Sequence, residues 1–139
     1  MTWLDKDIQK VDQWLGEFEA EVPCSDRRKA YHAFGAGLHA LRDRLTIEEA
    51  ADLGAQLPTI LRGLYYEGWH PHGKPLKVRS RSEYLELVRD YLGQDWTLDE
   101  ELVARATFRL LNRHVSGGEL EDVQHILPKA IVDLWDRAS

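Results

Sequence analysis

The sequence predicts an all-α fold of eight short-to-medium helices, arranged as two similar four-helix repeats. Apolar residues recur at helical spacing along most of the chain, and Ser, Thr and Pro residues stand where those helices would begin. The segments 45–58 (LTIEEAADLGAQLP) and 115–128 (VSGGELEDVQHILP) also match without a gap, 70 residues apart. Repetition at a fixed offset indicates a duplicated architecture. The matching pairs are helix caps and core positions: Leu45/Val115, Thr46/Ser116, Glu49/Glu119, Asp52/Asp122, Leu53/Val123, Leu57/Leu127 and Pro58/Pro128.

The first two predicted helices are separated by a proline. Residues 2–21 carry apolar side chains at alternating spacings of four and three, and Thr2 precedes them as a cap. Pro23 ends this helix because proline disfavours helical backbone in the residue before it. Ser25 is the predicted cap of a second helix that runs to Leu45. The apolar stripe of the first helix consists of Leu4, Ile8, Val11, Leu15 and Phe18.

The third and fourth predicted helices are short. Thr46 and Glu49 form a predicted capping box, in which each side chain satisfies a backbone amide of the other. Pro58 suits the first turn of the fourth helix, where a missing amide hydrogen costs nothing. This helix is predicted to end at Tyr65, before the loop 66–81, which loses the helical spacing and gains Gly and Pro.

Four helices are also predicted after the loop. Ser80 and Glu83 form a capping box for the fifth helix, whose apolar spacing resembles that of the first. The sixth, seventh and eighth helices are predicted to start at Thr97 with Glu100, at Ser116 with Glu119, and at Pro128. The eighth helix is predicted to end at Trp135.

The predicted organisation is a single domain over residues 1–139. Repeat one covers 2–65, the loop covers 66–81 and repeat two covers 82–135. The two repeats have 64 and 54 residues, which is close to the lower limit for a self-sufficient core. We therefore expect the halves to pack on each other about a pseudo-twofold axis.

Composition excludes several classes of protein. The net charge of −6 argues against nucleic-acid binding, although Lys74, Lys77, Arg79 and Arg81 make one loop locally basic. No apolar run reaches the roughly 20 residues that span a bilayer. The N-terminal segment has acids where a signal peptide would be cationic and apolar, so a cytoplasmic location is expected. Cys24 is the only cysteine, which rules out an intrachain disulfide and predicts a bystander thiol.

The loop after the fourth helix holds the best candidates for binding chemistry. Glu67, His70 and His72 offer a carboxylate and two imidazoles within six residues, which are ligands that divalent metals accept. With Trp69 and with Arg42 of the second helix, they form the predicted ligand-binding set. The alternative interpretation is that Trp69 is a core residue and the histidines are solvated.

No catalytic residues are predicted. The acidic pair at 48–49 and the acidic triplet at 99–101 fall in the first turns of predicted helices. Capping and the helix dipole explain both fully. Cys24, Asp26 and His32 include the residue types of a thiol triad, but their spacing shows no convergence. Gly117 and Gly118 lack the lysine of a phosphate-binding loop.

The segment HALRDRLTIEEAADLGAQLPTILRGLYYEGW (39–69) resembles the bacterial family known as domain of unknown function 2267. The weaker match GGELEDVQHILP (117–128) and a terminal LW extend the resemblance over nearly the whole chain, and the LRDRL, AQLP and YYEGW strings are its specific part. The resemblance implies an all-helical, internally duplicated, cytoplasmic bacterial protein. It implies no reaction, cofactor or partner.

Three hypotheses for function follow from the residues, and the third, an enzyme of unrecognised type, has no motif in the sequence to support it. The first is a non-enzymatic helical module that binds another protein or itself, because the chain is rich in tryptophan and exposed aromatic residues mark contact surfaces. The second is a regulatory protein that binds a divalent metal or small ligand through the loop Glu67–His72. The tryptophans are Trp3, Trp14, Trp69, Trp96 and Trp135.

Overall fold

The structure is a computed structural model, and it describes residues 2–95 and 97–135. The described residues form eight α-helices and no strand, which confirms the predicted fold class. The helices are α1 (Trp3–Glu21), α2 (Arg27–Asp43), α3 (Ile47–Gly54), α4 (Thr59–Tyr66), α5 (Arg81–Leu92), α6 (Glu100–His114), α7 (Gly117–Ile126) and α8 (Lys129–Val132).

Side-chain caps begin most of these helices. Thr2 with Asp5 and Ser80 with Glu83 form complete capping boxes at the starts of α1 and α5. Thr46 accepts the amide of Glu49 at the start of α3, but Glu49 does not return the bond. The same holds for Ser116 and Glu119 at the start of α7. Two of the predicted capping boxes are therefore only half formed.

Two predicted caps are wrong. Asp26 rather than Ser25 caps α2, because its Oδ1 accepts the amide of Lys29 at 2.8 Å. Asp99 rather than Thr97 caps α6, because its carboxylate accepts two amides of the first turn. In both cases the aspartate immediately before the helix is the residue that caps it. The eighth helix is also shorter than predicted, ending at Val132.

The central helix is α2, which packs against α1, α4, α5 and α6. Its buried face is rich in alanine and glycine, so neighbouring backbones approach closely. Gly37 is the tightest point, since an added Cβ would stand only 2.0 Å from Oγ1 of Thr107 on α6. Buried apolar side chains from both halves of the chain form one continuous core around α2.

The two halves meet through several helix pairs. Helix α2 packs on α5, α1 packs on α6, and α3 packs on α7. Within the halves, α1 contacts α2 and α4, and α5 contacts α6 and α8. The segment between α4 and α5 runs along the end of α2, where the amide of Leu76 donates to the carbonyl of Asp43 at 2.8 Å. The pseudo-twofold relation of the repeats stays a prediction.

Candidate functional site

The predicted loop residues lie largely in solvent. Glu67, His70 and His72 are exposed, and Trp69 is half-buried against the ring of Tyr66, with a centroid separation of 5.4 Å. Among the described residues, these side chains do not form a set of three whose ligand atoms lie within 4.8 Å of one another. Metal binding by Glu67, His70 and His72 stays a prediction.

Arg42, the fifth residue of the predicted set, is at the centre of a buried polar network and not on the surface. Its side chain is 1% exposed, and its Nε donates to Oδ1 of Asp43 at 2.9 Å. Its Nη1 donates to the carbonyl of Tyr65 at 2.8 Å and to that of Glu67 at 2.9 Å. A buried charge must be paired and hydrogen-bonded, and these bonds also satisfy carbonyls at the end of α4. Arg42 therefore joins α2 to α4.

Tyr91 joins α5 to the same network. Its hydroxyl donates to Oδ2 of Asp43, and Nη2 of Arg42 donates to that hydroxyl at 3.3 Å. Burial, followed by the hydrogen bond to Asp43, raises the pKa of Tyr91 to about 12. The hydroxyl therefore keeps its proton at neutral pH and remains a donor. One buried ion pair thus connects three helices.

A cleft of about 440 Å³ lies beside this network, between one face of α2 and the ends of α4 and α5. The residues from α2 are spaced by three and four, as expected for one helical face. Gly35, Ala36 and Leu64 form an apolar floor, while Tyr31 and Tyr91 are half-buried aromatic side chains along its sides. The remaining lining residues are Arg28, His32, His39, Glu67 and Gly68.

Two histidines of the cleft have fixed tautomers. Nε2 of His39 lies 2.7 Å from the carbonyl of Leu64, and Nε2 of His32 lies 3.2 Å from the carbonyl of Leu92. A carbonyl can only accept, so each Nε2 carries hydrogen and each Nδ1 is an acceptor in the neutral ring. Burial lowers the pKa of His39, which keeps this ring neutral. The histidines are seven residues apart, or about 10 Å along the helix, which is too far to share one metal ion.

The start of α1 presents the clearest apolar surface. The exposed fractions of Trp3, Leu4 and Ile8 are 70%, 47% and 45%. We call these three residues the α1 surface. Among the described residues, Ile47 at 50% is the one other large apolar side chain with comparable exposure. Leu4 and Ile8 continue the stripe of Val11, Leu15 and Phe18, whose side chains are buried in the core.

Asp7 holds this part of α1 against α4. Its carboxylate is buried and accepts the amides of Thr59 and Ile60, each at 3.0 Å. Pro58 occupies the N-cap position of α4 and makes no side-chain bond there. An aspartate 52 residues away in the chain therefore supplies the cap, and it fixes the orientation of the α1 surface. The sequence pattern does not reveal this role, because Asp7 and Thr59 are 52 residues apart in the chain.

The other tryptophans support the interaction hypothesis less well than predicted. Trp14 and Trp135 are buried, and Trp69 is half-buried. Nε1 of Trp135 donates to Asn112 at 2.6 Å, and its ring stacks on Phe108. Trp96 lies outside the described residues. The case for an exposed aromatic contact therefore rests on Trp3.

Carboxyl groups also meet where α3 packs on α7. Oxygens of Glu49, Asp52 and Glu119 lie within 4.8 Å of one another, a spacing at which carboxylates interact through a shared proton or a cation. One oxygen of Glu49 and one of Glu119 are buried without a hydrogen-bond partner in the described part of the chain. Acidic groups of this kind are common without an ion, so the geometry alone assigns no metal. The sequence pattern predicted Glu49 and Glu119 only as members of helix caps.

Cys24 has the surroundings of an inert thiol. It is half-buried, and burial raises its pKa, as do the negative charges of Glu19, Asp95 and Asp26. Reactive cysteines have the opposite setting, with cationic neighbours that favour the thiolate. The bystander interpretation agrees with this environment.

A known protein family matches most of the length of the chain. A family model described as an uncharacterized conserved protein, DUF2267, matches residues 11–134. The chain belongs to this family. The DUF2267 match confirms the resemblance found at residues 39–69, and it includes the buried network and the cleft. The α1 surface precedes the matched region. No curated protein matches this DUF2267 chain.

Within residues 2–95 and 97–135, every helix of this DUF2267 chain is too short or too polar to pass through a bilayer.

Proposed function

We propose that this DUF2267 chain is a non-enzymatic helical module that associates with a second copy of itself through the α1 surface. The observation that carries the proposal is the exposure of Trp3 at 70%, next to Leu4 and Ile8. Large aromatic side chains at the centre of an apolar patch contribute strongly to protein contacts. A polar side chain at any of these positions would suit an isolated protein equally well.

The α1 surface is rigid, which favours binding. The Thr2–Asp5 capping box begins the helix one residue before Trp3, so these side chains stand on formed helix. The bonds from Asp7 to the amides of α4 hold the same turns against the body of the protein. A surface that is already ordered loses little conformational entropy on binding.

The spacing of the stripe indicates what would cover it. Leu4 and Ile8 continue the alternating four-and-three spacing of Val11, Leu15 and Phe18, a pattern that packs against another helix. The same stripe on a second copy offers a matching face, and a twofold pair buries both at once.

The charges around the apolar stripe also allow two copies of the chain to associate. The chain as a whole is acidic, at −6, but the exposed charges around the stripe are two acids, Asp5 and Asp12, and two bases, Lys6 and Lys10. This balance removes the repulsion that a uniformly acidic face would create.

Sedimentation velocity tests the proposal. We expect the wild-type protein to show a concentration-dependent dimer, and the double variant Trp3→Ser, Ile8→Ser to sediment as a monomer. Ile47→Ser is the matched control, since it removes a comparably exposed apolar side chain from a different helix, α3. It should leave the dimer intact. A wild-type monomer at the highest accessible concentration, or equal effects of both variants, would refute self-association through this surface.

A further inference from the structure

The imidazole of His39 has one nitrogen that is open to solvent. Its Nε2 donates to the carbonyl of Leu64 at 2.7 Å, so Nδ1 is the acceptor of the neutral ring. In the described part of the chain, Nδ1 has no hydrogen-bond partner, and it is not one of the unpartnered polar atoms that are fully buried there. Because His39 is half-buried and lines the cleft between α2, α4 and α5, this nitrogen can accept a hydrogen bond from a molecule in the cleft.

The ring of His39 is held in position before anything binds. The bond to Leu64 fixes one edge, and the ring of Tyr91 packs against it at a centroid separation of 5.3 Å, nearly edge to face. Burial lowers the pKa of His39, so Nδ1 stays an unprotonated acceptor at neutral pH. A fixed acceptor loses little conformational entropy when it receives a donor.

The surfaces around this nitrogen are apolar and flat. Gly35, Ala36 and Leu64 form the floor, and Gly35 must stay without a side chain, because an added Cβ would stand 2.9 Å from Cδ1 of Leu64. The hydroxyl of Tyr91 already donates to Asp43, so Tyr91 offers the cleft its ring. Aromatic ligands pack well on surfaces of this kind.

Charge contributes little to recognition in this cleft. The two lining residues with charged side chains in the usual range, Arg28 and Glu67, are both exposed to water. Exposed charges are well solvated and gain little from a partner. Shape and one hydrogen bond are therefore the features that select a ligand.

We infer that this cleft binds a flat aromatic molecule with one N–H or O–H donor, such as an indole. The donor bonds to Nδ1 of His39, and the ring lies on the floor of Gly35, Ala36 and Leu64. The cleft volume of about 440 Å³ is within the usual range for small-molecule sites. The cleft shares no residue with the α1 surface, so this inference is independent of self-association.

The experiment compares indole with benzofuran, by calorimetric titration and by ¹⁵N resonances of the histidine rings in the full chain. The two probes have nearly the same shape, but benzofuran has an oxygen in place of the N–H and cannot donate. We expect indole to move the Nδ1 resonance of His39, and benzofuran to leave it in place. Benzofuran should bind about tenfold more weakly, as expected for the loss of one hydrogen bond to the site.

The variant His39→Gln assigns this preference to Nδ1. The glutamine amide can replace Nε2–H as a donor to the carbonyl of Leu64, but it has no acceptor where Nδ1 stood. We expect this variant to bind indole and benzofuran equally. His125→Gln is the matched control, since it changes an exposed histidine of α7 outside the cleft, and it should keep the tenfold preference.

Three results would overturn the inference. An Nδ1 resonance of His39 that does not move at saturating indole would exclude the site. Equal affinities of the wild type for indole and benzofuran would exclude a hydrogen bond as the basis of selection. A preference that survives in His39→Gln would assign the donor to another residue. The first two measurements use the wild-type chain, so they stand even if the variant does not fold.

Discussion

The carboxyl groups of Glu49 and Glu119 face each other where α3 packs on α7. They occupy matching positions of the two predicted repeats, three residues after Thr46 and Ser116. Each has a buried oxygen that lacks a hydrogen-bond partner among the described residues. A proton on one carboxyl group would allow it to donate to the other, so the contact favours the protonated form of the pair.

Removing the charge of Glu119 should change how stability depends on pH. Burial is the main cause that raises the pKa of Glu119 to about 8. A hydrogen bond with Glu49 and the negative charge of Glu49 act in the same direction. Asp52 of α3 and Asp122 of α7 act in the same direction, and Tyr65 of α4 is also nearby. The stabilisation is complete below the unfolded pKa of about 4.5 and is lost as pH rises through about 8.

Thermal melts from pH 5 to 9, in a buffer with a metal chelator, measure this effect. The melting temperature of the wild type should fall across this range, and Glu119→Gln should reduce that fall. Glu121→Gln is the control, because Glu121 is exposed on the same helix. Parallel curves for the wild type and Glu119→Gln would show that the pair does not share a proton.

The bond from Asp7 to the start of α4 should contribute measurably to stability. Asp7→Ala leaves the amides of Thr59 and Ile60 without their acceptor, and the loss of an N-cap costs about 1–2 kcal/mol. Asp12→Ala is the control, since it breaks only an exposed ion pair to Arg27, which is worth about 0–1 kcal/mol. Urea denaturation of both variants gives the free energy of unfolding. Equal losses would mean that Asp7 does not act as a cap.

The hydroxyl of Tyr91 should matter more than that of Tyr66. Tyr91→Phe leaves Asp43 short of one donor within a buried network, which costs about 1–3 kcal/mol. Tyr66→Phe removes a long, exposed bond to Ala51 at 3.4 Å, and we expect a loss within about 0.5 kcal/mol. Chemical denaturation compares the two. The network would be less important than we argue if Tyr91→Phe unfolded at the wild-type midpoint.

Two glycine-to-alanine substitutions should have opposite effects on the stability of the protein. Gly37→Ala places a Cβ 2.0 Å from Oγ1 of Thr107, and such overpacking costs about 1–3 kcal/mol. A Cβ added at Gly63 of α4 has no atom within 4 Å. The higher helix propensity of alanine should therefore make Gly63→Ala more stable by about 0.5–1 kcal/mol. Melting temperatures of the two variants test the pair. A stable Gly37→Ala variant would show that α2 and α6 can separate without loss.

Much of the fold was predictable because its signals are local. The apolar spacing of residues 2–21 and the Ser80–Glu83 box each concern neighbours in the chain, and both predicted the helices that the structure has. The prediction for Glu49 was incomplete for the opposite reason. Its spacing from Thr46 allowed a reciprocal cap, but the contact with Glu119 on another helix directs its side chain elsewhere.

By itself, the sequence determined the all-helical class, the family and most helix starts, since residues three or four apart meet on any helix. Only the tertiary structure decided that Arg42 is buried, that Asp7 caps α4, and that Arg28 and Glu67 share a cleft. These relationships join residues tens of positions apart, such as Asp7 and Thr59. They depend on which helix faces meet, and that is decided by how the whole core packs.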